Sequence, residues 1–254
     1  MTRSGLIIVF LANVWFYPAF LVMSLAVSPF FVAGVVLSHV LGGRRRGVYW
    51  TRRMNHMYGV LVLLVLRPVA RIILQGHGWH TPPTERCIYV CNHRSASDPF
   101  LMAKLPSGEI VQIVNRWPFR LPILGSVARL ADYISIREMS PEQFFAKASC
   151  NLAEGAFLTA FPEGTRSGGR CLGAFHSAVF RLALQTGAPV VPVAISGNEQ
   201  TPPRGSLLLR PACIVMSMLP PLHAETYRTM SPFQFKNHVR GLIDTELRRI
   251  EGTT

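Results

Sequence analysis

The residues with the clearest capacity for chemistry are Asn92-His93-Arg94-Ser95-Ala96-Ser97-Asp98, set between the apolar run Cys87-Ile88-Tyr89-Val90-Cys91 and Pro99. An imidazole and a carboxylate five positions apart do not share a helical face. A loop can still fold Asp98 back onto one ring nitrogen of His93, leaving the other to take a proton from a hydroxyl. The spacing by itself discriminates weakly, because short motifs recur by chance and Asp98 before Pro99 also has the chemistry of a helix N-cap. Both jobs are compatible if one carboxylate oxygen caps and the other orients.

Phe161-Pro162-Glu163-Gly164-Thr165-Arg166-Ser167 also follows an apolar run. Pro and Gly turn the chain and expose backbone N–H groups, Arg166 offers a planar fork to a phosphate, and Glu163 can accept hydrogen bonds from substrate hydroxyls. Taken alone, a P-E-G turn serves equally well as a structural loop. Cys91, beside Asn92-His93, raises an acyl-cysteine route, against which stands the commoner use of a small thiol to end a buried strand. Cys87, Cys91, Cys150, Cys171 and Cys213 form no C-x-x-C pair and are odd in number, so reduced, mostly buried thiols are expected. No His/Cys cluster has zinc-ligand spacing, and no metal is expected.

The elements that must position these loops are short apolar runs punctuated by turns. Cys87–Cys91, Ile110–Val114, Tyr133–Ile136, Phe157–Phe161, Val190–Ile195 and Cys213–Met216 have the composition of strands. Helices are expected at Pro99–Lys104, Pro141–Glu154 and Ala178–Gln185, and from a capping box at Ser231 and Gln234 to about Ile250. This alternation predicts an α/β fold with a mixed, largely parallel sheet covered by helices, and places the two polar loops at strand ends, where such sheets hold ligands.

Between Arg3 and Arg44 there is no Lys, Arg, Asp or Glu, and few polar residues other than Asn13 and His39. Gly5–Val27 has about the 20 residues a spanning helix needs, while Pro29–Leu41 is short for a crossing. Ser28-Pro29 resembles an N-cap with Pro at the first helical position, so a membrane-embedded helical hairpin is predicted within residues 1–45. A cleaved signal peptide fits less well, since the apolar run exceeds the usual length. Trp50–Leu74 is expected to be a helix lying in the interface or packed on the domain and ending near Arg67 at Pro68. The 254-residue chain carries 26 Lys+Arg against 13 Asp+Glu, a formal charge of +13, with 49% hydrophobic residues. Arg44, Arg45, Arg46, Arg52 and Arg53 directly follow the apolar segment, as expected for contact with anionic head groups. No nucleic-acid-reading module is present, so membrane lipid rather than nucleic acid is the expected partner of this charge.

Asn92-His93 with Asp98, Arg137 after Tyr133-Ile134-Ser135-Ile136, the block Phe161–Ser167 and Val191-Pro192-Val193-Ala194-Ile195 occur in the order and approximate spacing of the glycerophospholipid acyltransferase family. From about residue 85 to 222 the sequence resembles bacterial 1-acylglycerol-3-phosphate acyltransferases. The resemblance implies that His93 is the general base, that Asp98 orients it, that Glu163, Gly164, Thr165 and Arg166 bind the glycerol phosphate of the acceptor, and that Arg137 also contacts phosphate. It implies that the Val-Pro block shapes an acyl-binding region and that acyl-CoA or acyl carrier protein (ACP) is the donor co-substrate, with no further cofactor. A thioester is already activated, so a positioned alcohol attacks it directly and no enzyme nucleophile is needed.

Two lysines common in the family are absent: the pair after Ile110–Val114 is Asn115-Arg116, and Phe175 is followed by His176-Ser177-Ala178. Arg116 joins Arg137 and Arg166 as an expected phosphate contact, while the loss of charge admits another lysophospholipid or a lyso-ornithine lipid as acceptor. A membrane-bound acyl thioesterase and a non-enzymatic membrane scaffold are the other readings. The expected organisation is a membrane-anchoring hairpin over 1–45, an interfacial helix and linker over 46–84, and the α/β acyltransferase domain over 85–254, at a bacterial inner membrane with the catalytic domain on the cytoplasmic side.

Overall fold

The computed structural model describes residues 3–81 and 83–252. Among these residues, seven strands form one sheet in the order β1-β7-β6-β2-β5-β3-β4. They are β1 (Ala70–Gly76), β2 (Ile88–Cys91), β3 (Ile110–Val114), β4 (Ile134–Ser135), β5 (Phe157–Ala160), β6 (Val190–Ser196) and β7 (Ala212–Met218). Every neighbouring pair is parallel except β6 and β7, which are antiparallel from Val193↔Met218 to Ser196↔Val215. The mixed, largely parallel sheet predicted from sequence is therefore the one observed. β2, β5 and β6 are buried throughout, as central parallel strands covered on both faces must be.

The helices are α1 (Arg3–Leu66), α2 (Asp98–Leu101), α3 (Trp117–Arg120), α4 (Pro122–Leu130), α5 (Pro141–Ala153), α6 (Ala178–Thr186), α7 (Ala224–Tyr227) and α8 (Pro232–Glu251). Alternation along the strands sorts side chains between two cores. Val190 and Ala194 face a core with Phe144, Phe180, Phe235 and Ile243, from α5, α6 and α8. Val191, Val193 and Ile195 face the opposite core, with Leu63 and Leu66 of α1 and Leu101 of α2. The capping box at Ser231 and Gln234 is present, and a second one, at Ser140 and Gln143, starts α5.

The N-terminal region departs from expectation. The helix is not split at Ser28-Pro29 but runs through Pro29, and its direction breaks at Gly43, whose φ of 67° and ψ of −178° lie where a side chain is strongly disfavoured. The two arms of α1 then run side by side in opposite directions. Trp15 Nε1 donates to the Val65 carbonyl at 3.0 Å, the Ser24 and Tyr58 hydroxyls are 2.9 Å apart, and the end of the Met54 side chain packs directly on Gly34. The hairpin expected within residues 1–45 is thus replaced by a pairing of the first arm with residues 44–66. Residues 70–76, expected in part as helix, form edge strand β1, so the sheet begins well before residue 85.

The arginine cluster also divides. Arg44, Arg45, Arg46 and Arg53 are exposed, but Arg52 is only 5% exposed and bonds the Ala131 carbonyl and Asn151 Oδ1 at 3.0 and 2.6 Å. It fastens α1 to the domain instead of facing lipid. Asn13 makes a second fastening, donating to the Leu209 carbonyl at 2.8 Å and accepting from the Leu209 N–H at 2.9 Å. Replacing it by Leu strands both backbone groups, at a cost of about 1–3 kcal/mol for each group left buried and unpaired. Asn13→Leu is expected to lower the thermal midpoint and to speed proteolysis within residues 198–211; unchanged cleavage there would refute the fastening.

Candidate active site

Four neighbouring parallel strands, β2, β5, β3 and β4, end at the same edge of the sheet. Because the chain leaves each at its carboxyl end, His93, Glu163 to Arg166, Arg116 and Arg137 all emerge along that edge. Asn92 fixes the exit from β2: its amide donates to the Ile195 carbonyl at 2.9 Å and accepts from the Ile195 N–H at 2.7 Å, locking the loop to β6.

Asp98 is fully buried. Its Oδ2 accepts from His93 Nδ1 at 2.7 Å and from the backbone N–H groups of Arg94 and Ser95 at 2.8 and 3.0 Å, while Oδ1 accepts from Asn198 Nδ2. A buried carboxylate demands such compensation. The contact with Nδ1 selects the tautomer in which that nitrogen carries the hydrogen and Nε2 has its lone pair free. The capping job considered for Asp98 is not used: Ser97 occupies the N-cap of α2, and its side chain makes no cap bond.

Glu163 lies elsewhere than a substrate-facing acceptor would. It is 7% exposed, and its two oxygens accept from the His93 and Gly173 N–H groups at 2.7 and 2.8 Å. The carboxylate is thus a strut between the two loops. Ser167 N–H donates to the His93 carbonyl at 2.8 Å, and the His93 ring packs on Phe161, centroids 4.6 Å apart. Gly164, at φ 70°, lies against His176, so a side chain there would press on the imidazole. Thr165 is exposed and Arg166 half-buried; neither Arg166 nor the exposed Arg137 has a side-chain partner among the described residues. Arg116 lies 3.5 Å from Glu138.

His93, Asp98 and Glu163 are therefore joined by direct bonds, whereas Arg116 and Arg137 stand farther along the edge. β4 is three strands from β2, about 14 Å at roughly 4.8 Å per strand. Asn198 was missed from sequence, although it follows the end of β6 at this same edge and the strand-end rule points to it. Cys91 is fully buried, and burial pushes its thiol well above the ordinary range, so it is not a thiolate nucleophile at neutral pH. Of the five free cysteines, Cys87 and Cys91 are buried but Cys150, Cys171 and Cys213 are exposed, contrary to expectation. Val191, Val193 and Ile195 are packed in the core.

A family model described as acyltransferase matches residues 74–196. These residues are an acyltransferase domain. The 1-acyl-sn-glycerol-3-phosphate acyltransferase of Limnanthes alba is 31% identical over 185 residues, covering 70% of this chain and 65% of that protein. The enzyme of the same name from Salmonella typhimurium is 24% identical over 172 residues, covering 65% of this chain and 68% of that one. The chain thus spans less than two thirds of the length of its Limnanthes relative. The crystal structure of the 1-acyl-sn-glycerophosphate acyltransferase PlsC of Thermotoga maritima shares the fold, with a TM-score of 0.74 over 95% of each chain at 19% identity. The acyltransferase domain thus includes β2, β5 and β6, the strands that carry the His93–Asp98 pair, the Glu163 loop and Asn198.

Burial raises the Glu163 carboxyl above its ordinary value of 4.5, against the opposing pull of the His93 and Gly173 N–H groups. With its folded value above its unfolded one, Glu163 contributes stability that is full below 4.5 and is lost as pH rises through the folded value. Glu163→Gln removes this dependence. The stability of the parent relative to the variant, from urea midpoints, is expected to fall between acidic and neutral pH; a difference that grows with pH would contradict the burial.

Proposed function

We propose that the protein is a membrane-bound O-acyltransferase that moves a fatty acyl group from acyl-CoA or acyl-ACP to the free hydroxyl of a lysolipid, foremost 1-acylglycerol-3-phosphate, giving phosphatidic acid. The observation that carries the reading is the His93–Asp98 pair at 2.7 Å, with Nε2 free, inside an acyltransferase domain. Nε2 takes the proton of the acceptor hydroxyl as its oxygen attacks the thioester carbonyl. The C–S bond then breaks, and the imidazolium returns its proton to the departing thiolate. Asp98 keeps Nδ1 protonated and stabilises the cation that forms.

Arg166 is the phosphate contact best supported by position, because its loop follows β5, the direct neighbour of β2. Arg116 and Arg137 leave the next two strands and suit a more extended head group. Glu163 acts in this reading through the His93 backbone. The acceptor reaches the site from the bilayer, in which the first arm of α1 is embedded: Ile7, Phe10, Leu21, Val22, Phe30 and Val40 are all more than half exposed. Within Ser4–Leu66, which breaks at Gly43, the chain includes a helical stretch long and apolar enough to cross a membrane, and apolar surface of this extent marks a membrane or partner contact. With the exposed Arg44, Arg45 and Arg46 beside it, we place the enzyme at the cytoplasmic face of a bacterial inner membrane.

His93→Ala is expected to lower acyl transfer by about 10²- to 10⁴-fold, the usual contribution of a positioned base, with membrane partitioning unchanged. Undiminished transfer would remove His93 from the reaction. Membranes containing the protein, offered 1-acylglycerol-3-phosphate, other lysophospholipids and lyso-ornithine lipid with each donor, are expected to yield diacyl product identified by mass. Release of free fatty acid without lipid product would identify a thioesterase instead. A preference for a zwitterionic or aminolipid acceptor would trace to Asn115 and His176, where many members of the family carry lysine.

A further inference from the structure

Arg94, next to the proposed base, is 2% exposed. Its backbone N–H donates to Asp98 Oδ2 at 2.8 Å, while its guanidinium gathers three segments remote in sequence. Nη1 donates to Ser196 Oγ at 3.2 Å and to Glu251 Oε1, and Nη2 donates to the Arg170 carbonyl at 2.7 Å. Ser196 Oγ also donates to Glu251 Oε1 at 2.6 Å. Glu199 lies 3.7 Å from Nη1, with its buried Oε2 lacking a hydrogen-bond partner, so it balances charge without sharing a hydrogen. Ser196 ends β6, Arg170 belongs to the loop that also holds Glu163, and Glu251 is the last residue of α8.

We propose that Arg94 is a positioning residue for acyl transfer, holding the His93–Asp98 pair in register by tying their loop to Glu251 at the carboxyl end of α8. The peptide before His93 is held by Glu163 and the one after it leads to Arg94, so both flanks of the imidazole depend on buried ionic groups. A planar guanidinium meets several acceptors in fixed directions; a lysine ammonium keeps the charge but not that fork. Loss of the fork lets the loop shift, and a displacement of about 1 Å at a reacting group costs on the order of 10²-fold in rate. Glu251, although about 160 positions away in sequence, thereby acts on the base through one side chain.

The inference rests on the proposed transfer reaction, and its test has one arm that does not. Full-length Arg94→Lys, Glu251→Ala and Glu251→Gln are compared with the parent in membranes, with rates counted per folded molecule. Arg94→Lys and Glu251→Ala are expected to lower kcat roughly 10- to 100-fold with KM for either substrate within about twofold. Glu251→Gln keeps an oxygen that accepts both bonds and is expected to recover most of the loss. Parental kcat in Arg94→Lys, equal damage in both Glu251 variants, or a loss carried mainly by KM would overturn the proposal. The second arm reads the His93 imidazole by nitrogen-15 NMR in nanodiscs without substrate. The parent is expected to show the tautomer protonated on Nδ1, and Arg94→Lys a mixture. If the parent transfers no acyl group, the proposed function falls while this spectrum still decides the role of Arg94; a tautomer unchanged by Arg94→Lys would overturn it.

Discussion

The structure turns on a carboxylate with no access to water. Asp98 has to find hydrogen-bond donors inside the protein for both its oxygens, and it finds them in His93, in two consecutive backbone N–H groups and in Asn198. An uncompensated buried charge costs several kcal/mol, so these bonds dictate the path of residues 92–97, not the reverse. The chain curls because the backbone N–H groups of Arg94 and Ser95 must point at Oδ2. The orientation of His93 is a by-product of the same requirement, so tautomer, loop and fold all depend on the one carboxylate.

The same economy extends to charge throughout the domain. A formal charge of +13 suggests a broadly basic surface, yet some of its arginines are structural. Arg52 bonds Ala131 and Asn151, Arg94 gathers Ser196, Arg170 and Glu251, and Arg240 donates to the carbonyls of Leu172 and Gly173. Arg240 and Glu163 both hold Gly173, one through its carbonyl and one through its N–H. The loop after β5 is therefore clamped at a single residue by α8 and by Glu163 at its own start, which also bonds the His93 N–H. Arg137 and Arg166 remain without such bonds among the described residues, and it is their spare capacity that suits them to an anionic ligand.

Much of this was legible in the sequence, because the signals were local. Six strands and the helices α2, α5, α6 and α8 announce themselves by apolar runs and caps within a few residues of where they lie. β1 was missed because its Ala70–Gly76 follows a helical apolar stretch directly and carries Arg71 on the exposed side of an edge strand. α3 and α4 were missed because Pro118 and Pro122 interrupt any period. Pro29 misled for a physical reason: proline ends helices in water, but an apolar helix paired with a second arm retains its course, and the actual break needed a glycine at positive φ. In the site, the His93–Asp98 contact was expected from the motif, and the bonding around it was not. Glu163 was placed against substrate although it bonds two backbone N–H groups, and the Arg94–Glu251 pair joins residues no spacing rule connects.

Residues 198–210 show how the N-terminal arms and the acyltransferase domain are related. Asn198 bonds Asp98, and the Thr201 carbonyl accepts from Ser95 Oγ at 2.9 Å, so the first part of this segment belongs to the His93 loop. Leu207 accepts from the Tyr17 hydroxyl and Leu209 pairs at two points with Asn13, so the remainder belongs to α1. Arg210 closes the segment on itself, its N–H donating to the Gln200 carbonyl at 3.0 Å while Thr201 Oγ1 donates back to its carbonyl, also at 3.0 Å. A segment braced in this way transmits position. A flexible tether would hold the domain near a bilayer and leave its height and tilt free; here the arm that would enter the bilayer is connected to the Asp98 carboxylate, the partner of the proposed base, through a few direct hydrogen bonds. Under the proposed function, the depth of the arm would set the height of His93, and a lipid hydroxyl confined to the interface by its own head group would meet the base without leaving the membrane.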